Sequence, residues 1–182
     1  MVKKTLKIIA LVLIILIVIY NLLLSDFNPL FENEEFVYLT SKIRETKKED
    51  LKFYVDTYNK VAEKRKNKKC ECEVSTTYIG PYRHERSIIK MIYVMKIEKE
   101  FSKEDCLKFQ FLNADYLFGN NGIKDAAKFY FKKSLEQLNT EEKLVLVVML
   151  ENPSLYNPKR RKERLMNKVR IYQRIIEGKT GL

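Results

Sequence analysis

The first hydrophobic feature of the chain is continuous rather than periodic. Residues 8–24 read IIALVLIILIVIYNLLL, with polar atoms only at Tyr20 and Asn21 near the far end. At about 1.5 Å per residue, roughly 17 residues reach about 25 Å, which nearly crosses a hydrocarbon core of about 30 Å once flanking lysines snorkel. A cleaved secretory signal has a shorter apolar core, about 7 to 15 residues, closed by small residues. Here the run is followed by Ser25-Asp26-Phe27-Asn28-Pro29, with no Ala-x-Ala pattern. The pattern therefore predicts an uncleaved transmembrane anchor over 8–24, preceded by a basic cytoplasmic flank over 1–7. Lys3, Lys4 and Lys7 precede the run, and positive residues stay cytoplasmic. The remaining domain is expected on the extracytoplasmic side.

Beyond the anchor, apolar residues mostly recur at helical spacing, and five glycines and four prolines are few. A mostly α fold follows. Residues 25–45 are read as a tether with any lead-in structure, 46–177 as one domain and 178–182 as a tail. From Lys47, Leu51, Tyr54, Val55, Tyr58 and Val61 fall on one stripe of a helix with a basic tail. A polar break at 67–81 precedes a second helix that turns Ile88, Ile89, Ile92, Met95 and Val94 toward a core. A third helix starts at Ser102 or Lys103, with Glu104 and Asp105 in its first turn, where they favour the helix dipole. It runs to the turn Gly119-Asn120-Asn121-Gly122. A short helix, IKDAAKFYFKKS, comes next. Asn139-x-x-Glu142 forms a capping pattern for the following helix, whose stretch 144–150 is apolar on all sides and predicts a buried central helix. Pro153 and Pro158 separate it from a last basic helix over 160–177.

About 150 residues after the anchor suffice for one domain with a real core. The formal charge of +11 lies largely in that domain and calls for an anionic partner: nucleic acid, lipid headgroups or a phosphorylated small molecule. An extracytoplasmic location makes nucleic acid the least suited of these. Cys70, Cys72 and Cys106 form no zinc pattern with the single His84. A disulfide between Cys106 and either Cys70 or Cys72 suits an oxidising compartment. One histidine in a charged segment also removes most nucleophile and base arrangements.

The carboxyl-terminal half carries a resemblance. Ala126-Ala127-Lys128-Phe129-Tyr130-Phe131-Lys132-Lys133-Ser134, then Glu142, then Pro153-Ser154-x-Tyr156-Asn157-Pro158 resemble motifs of the glycosyltransferase domain that polymerises peptidoglycan strands, glycosyltransferase family 51. Upstream, Glu49-Asp50-x-x-Phe53 is similar to that family's first motif, with Asp56 where the family has His. Ser75-Thr76 resembles the start of its Ser-Thr-Ile-Thr-Gln-Gln motif. Arg86 fits the arginine of Arg-Lys-x-x-Glu, with Ser87 and Lys90 at the other two places. Lys108 or Phe109 stands where a fourth motif has glutamate. The resemblance spans roughly 45–176 and implies a lysozyme-like, predominantly helical fold in a shortened form.

The resemblance also implies a chemistry. The free sugar hydroxyl of one lipid-linked disaccharide peptide attacks the anomeric carbon of another and expels a polyprenyl pyrophosphate. A base must take the hydroxyl proton, and cations or a divalent metal must stabilise the leaving charge. By resemblance Glu49 is the catalytic base. Asp50, Ser75, Thr76, Arg86, Lys90 and Lys108 contact substrate, with no metal ligand assigned. The expected partners are the precursor, the bacterial plasma membrane and other wall-synthesis proteins. The substitutions at Asp56, Lys90 and Lys108 keep a second reading open, a non-catalytic relative that binds precursor or scaffolds wall synthesis.

Overall fold

The apolar run folds as one helix, α1 (Val2–Leu23), exposed from Lys4 to Leu22 among the described residues. In the computed structural model, which describes residues 2–64, 70–78 and 88–179, the stretch Lys4–Leu23 has mean hydropathy 2.8 and is long and apolar enough to cross a membrane. The rest of the described chain is helical: α2 (Glu34–Glu45), α3 (Lys52–Glu63), α4 (Glu71–Ser75), α5 (Ile88–Glu100), α6 (Lys103–Asn113), α7 (Ile123–Phe131), α8 (Thr140–Glu151) and α9 (Lys162–Ile176). Short 3-10 turns lie at Pro29–Glu32, Thr46–Lys48 and Leu135–Gln137. Among the described residues the only extended pairing is an isolated bridge between Asp115 and Asn121.

Local chemistry sets the helix starts. Ser102 and Asp105 form a reciprocal capping box on α6, and Asn139 and Glu142 form the expected one on α8. In each, a side chain accepts from an otherwise orphaned backbone N–H. The apolar stretch of α8 is buried as expected, from Leu144 through Met149. It packs with α3, α6, α7 and α9 into the larger of two cores. The stripe of α3 also points inward, with Leu51, Tyr54, Val55 and Val61 buried and Tyr58 partly so.

The second core gathers Leu24, Phe31, Phe36, Leu39 and Ile43 with residues of α4, α5 and α6. Helix α6 serves both cores: Leu107 and Phe111 face the first, Cys106 and Phe109 the second. Two spacings on one helix thus join the layers, which is why its apolar residues show no single stripe.

Residues 25–45, read as a tether with any lead-in structure, carry α2, packed on the second core because Phe36, Leu39 and Ile43 have apolar surface to bury. The third helix ends at Asn113, where Ala114 turns extended. On α5 Ile92 is buried, with Ile89 and Met95 packed against the same core as expected; Tyr93, Lys96 and Ile97 join that face, whereas Ile88 is exposed. Tyr93 and Lys96 turn inward because their polar tips find partners there. The Tyr93 hydroxyl donates to the Leu30 carbonyl at 2.9 Å. The Lys96 ammonium meets the Leu24 carbonyl at 3.1 Å, Glu100 at 3.0 Å, and Asp26. The polar break also holds α4, joined to α6 by a Cys72–Cys106 disulfide. Sequence left Cys70 and Cys72 as alternatives, and Cys70 is free with its thiol donating to Glu98 at 3.0 Å.

Candidate functional site

Glu49 follows a 3-10 turn that is held from two sides. The Thr46 hydroxyl donates to the Ile43 carbonyl at 2.7 Å and to the Asp105 carbonyl at 3.3 Å, so the turn is tied to both α2 and α6. The Glu49 amide closes the turn on the Thr46 carbonyl at 3.0 Å. Its carboxylate emerges half-buried, and Lys124 at the start of α7 donates to it at 2.7 Å. The two side chains are 35% and 52% exposed. Solvent screening keeps such a pair at roughly 1 kcal/mol or less, so an incoming group can displace the ammonium at little cost.

Asp50 accepts from the Lys52 amide at 3.2 Å and starts α3. It also opens a cleft of about 400 Å³. Asp50, Phe53 and Asp56 form one side, and Leu135, Glu136 and Lys143 the other. The Lys143 ammonium lies 5.4 Å from the Phe53 ring centre. Hydrogen bonding from Ser134 and from its own backbone, with Lys124 and Lys143 nearby, holds the Glu136 carboxyl below its ordinary range. Tyr54 beside them is buried, and that burial pushes its phenol pKa up, so it stays protonated. The cleft thus offers an aromatic face, carboxylates and ammonium groups next to Glu49.

The other residues named from sequence lie elsewhere. The Ser75 hydroxyl is buried and donates to the Glu71 and Cys106 carbonyls at 3.0 and 3.1 Å. The Thr76 hydroxyl donates to the Glu73 carbonyl at 2.7 Å. Both therefore brace α4. Lys90 is buried on α5. Lys108 is mostly buried on α6 and pairs with Glu104 at 3.1 Å. Arg86 lies outside the described residues. The structure places Asp50 in the cleft lining with Glu49 one residue before it, and ties their turn to the helix that carries Lys108. Sequence reasoning did not single out Lys124, Glu136 or Lys143. The only signal was Lys124's position two residues before the Ala-Ala pair.

The carboxyl-terminal motif residues hold the scaffold beneath. Lys133 bonds both oxygens of Glu142 at 2.7 and 3.0 Å. The Tyr130 hydroxyl donates to the Tyr116 carbonyl at 2.7 Å, and the buried Asn157 amide donates to that hydroxyl at 3.2 Å. One hydroxyl thereby links α7, the loop after α6 and the loop after α8.

Among the described residues no group of three His, Cys, Asp or Glu could hold a metal ion.

The chain is 30% identical over 167 residues to penicillin-binding protein 4 of Bacillus subtilis, an alignment covering 80% of this chain and 26% of that protein. It is 34% identical over 74 residues to penicillin-binding protein 2a of Streptococcus pneumoniae, covering 41% and 10%. It is 33% identical over 95 residues to penicillin-binding protein 1A of Aquifex aeolicus, covering 51% and 13%. The chain therefore spans about a quarter or less of the length of these relatives. Residues 75–176, more than half the chain, match the model of the transglycosylase family. With an all-helical domain assembled around the Tyr130, Lys133, Glu142 and Asn157 motif residues, the chain belongs to the peptidoglycan transglycosylase family.

Proposed function

We propose that this chain is a membrane-anchored peptidoglycan glycosyltransferase that elongates glycan strands from a lipid-linked disaccharide-peptide precursor. The observation that carries the reading is the half-exposed Glu49 carboxylate, presented beside the cleft by a turn fastened to two helices. In the reaction a sugar hydroxyl forms the new glycosidic bond at the anomeric carbon of a second precursor. The bond from that carbon to the pyrophosphate oxygen breaks, and the oxygen leaves with the electron pair. The hydroxyl proton passes to Glu49, which acts as base. Lys124 fixes the carboxylate until substrate arrives. Lys90, buried on α5, and Lys108, paired with Glu104, do not line the cleft. Asp50 lines the sugar side, and by resemblance Arg86 faces the pyrophosphate. Ser75 and Thr76 support that side through α4 rather than by direct contact.

Helix α1 serves as the anchor in the bacterial plasma membrane, with residues 1–7 cytoplasmic and the domain extracytoplasmic. A substrate on a polyprenyl tail is met at the membrane surface, and an anchored domain raises the encounter rate by confinement. Purified full-length chain in detergent, given labelled precursor, polymerises it, and Glu49→Gln abolishes the polymer. Absence of polymer from well-folded protein overturns the catalytic reading.

Where the family carries a glutamate this chain has Lys108, paired with Glu104, or the buried Phe109, which favours a second reading: a non-catalytic relative that binds precursor or scaffolds other wall-synthesis proteins. That reading requires precursor binding that survives Glu49→Gln without any polymer.

A further inference from the structure

All three non-glycine residues with positive φ among those described, Leu117, Phe118 and Lys132, lie in or beside one surface patch. A left-handed backbone at a bulky residue is strained, and such strain persists where the surroundings enforce it. Here the Asp115–Asn121 bridge closes the loop, and the Asn120 side-chain amide donates to the Leu117 carbonyl at 2.8 Å. What the loop displays is the Phe118 ring, 46% exposed, stacked on Phe129 with centroids 5.7 Å apart.

Cations crowd this ring pair. Lys159 lies 3.8 Å and Lys132 5.8 Å from the centre of Phe129, and Arg160 lies 5.0 Å from that of Phe118. Lys132, Lys159 and Arg160 are exposed, and none is ion-paired among the described residues. The sequence adds Arg161, Lys162 and Arg164 along the start of α9, with Glu163 as the one carboxylate among them. The aromatic faces hold the cations by cation–π attraction, which lets mutually repelling charges stay together.

We propose that this patch binds a linear, base-free phosphodiester polyanion, such as a polyol-phosphate chain. Concentrated, unneutralised cations call for an anion. Their continuation along α9 suits repeated charges rather than a single one. Phe118 stacks on Phe129, with Arg160 near the one ring and Lys159 and Lys132 near the other, so a stacking nucleobase would have to displace a cation from a ring, which disfavours single-stranded nucleic acid. Inserting Phe118 into a bilayer would carry the neighbouring Arg160 guanidinium toward the apolar layer, which disfavours a lipid surface.

The test uses the full chain in zwitterionic nanodiscs and a fluorescent synthetic poly(glycerol phosphate), with binding read by anisotropy. Wild type binds, more weakly as salt rises. The triple variant K132A/K159A/R160A loses at least tenfold in affinity. The control K48A/K60A/K64A, which removes equal charge elsewhere, changes it less than threefold. F118G removes the ring and relieves its left-handed strain, so it folds at least as well and still loses affinity several-fold. Equal losses in the two triple variants overturn the proposal, as does an unaltered F118G. Tighter patch-dependent binding to a single-stranded oligonucleotide, or to nanodiscs containing phosphatidylglycerol, also overturns it in favour of that ligand.

Discussion

Cys72 and Cys106 join α4 to the interior of α6 with their Cα atoms 5.1 Å apart, and both sulfurs are fully buried. The Ser75 hydroxyl bonds the Cys106 carbonyl beside them. The bond closes a loop with a sequence separation of 34. In the chain-entropy account such a loop stabilises the fold by about 3–4 kcal/mol. Adding a strong reductant, or making Cys72→Ala with Cys106→Ala, is therefore expected to lower the unfolding free energy by that order in urea titrations. Without reductant, native protein should present one reactive thiol, Cys70. Identical midpoints with and without reductant would contradict this.

Glu151 gives a pH dependence of definite sign. Its side chain is 13% exposed at the end of α8, with Lys168 at 3.9 Å. Burial pushes the carboxyl up to about 7, and Lys168 opposes this only in part. The protonated form is the one the fold prefers. Its contribution is fully present below the unfolded value of 4.5 and is lost as pH rises through about 7. The loss amounts to roughly 3 kcal/mol at most. Glu151→Gln keeps the shape without the charge. It should be more stable than wild type at pH 8, by up to that amount, with the gap closing toward pH 4.5. A gap that does not change with pH sinks the assignment.

Gly122 and Gly119 make a matched pair. Both have positive φ, +87° and +78°, but a Cβ on Gly122 would run into the Leu112 carbonyl, whereas one on Gly119 meets open space. Gly119→Ala bears only the left-handed penalty of roughly 1 kcal/mol. Gly122→Ala adds a backbone clash at the start of α7 and is expected to cost about 3 kcal/mol or more. Thermal melts of the two variants separate the effects, and equal melting temperatures would refute the clash.

What the sequence disclosed follows from what periodicity measures. The α8 stretch from Leu144 to Met149 and the Asn139–Glu142 cap were legible because each is a local pattern. The α5 face was read only in part: Ile89, Ile92 and Met95 do meet the core, but Tyr93 and Lys96 also turn inward, burying apolar stems while their tips reach Leu30, Leu24, Asp26 and Glu100, partners distant in sequence or unmarked by pattern. The site divided in the same way. Glu49-Asp50 stood out as a motif, but Lys124, 75 residues away, became its partner only once α7 was packed. Ser75 and Thr76 carried a motif's letters, yet their hydroxyls serve the ends of α4, which sequence reading had left as an irregular break.

Lys96 sets how the domain meets α1. Its side chain is 6% exposed. It bonds the Leu24 carbonyl just past α1, reaches Asp26 and Glu100, and lies 5.1 Å from the Phe31 ring centre. Burial pulls the ammonium's pKa down, but the hydrogen bonds to Asp26 and Glu100 outweigh it and leave the pKa raised. Lys96→Met fills the same space without those bonds. Asp26 is largely solvated and Glu100 partly so, so neither becomes a buried lone charge, and the stability cost stays near 1 kcal/mol. Geometry should change more than stability. With spin labels at the exposed positions 15 and 98, the distance distribution between α1 and α5 is expected to be narrow in wild type and clearly broader in Lys96→Met. An equally narrow distribution would mean that apolar packing at Leu24 alone orients the domain.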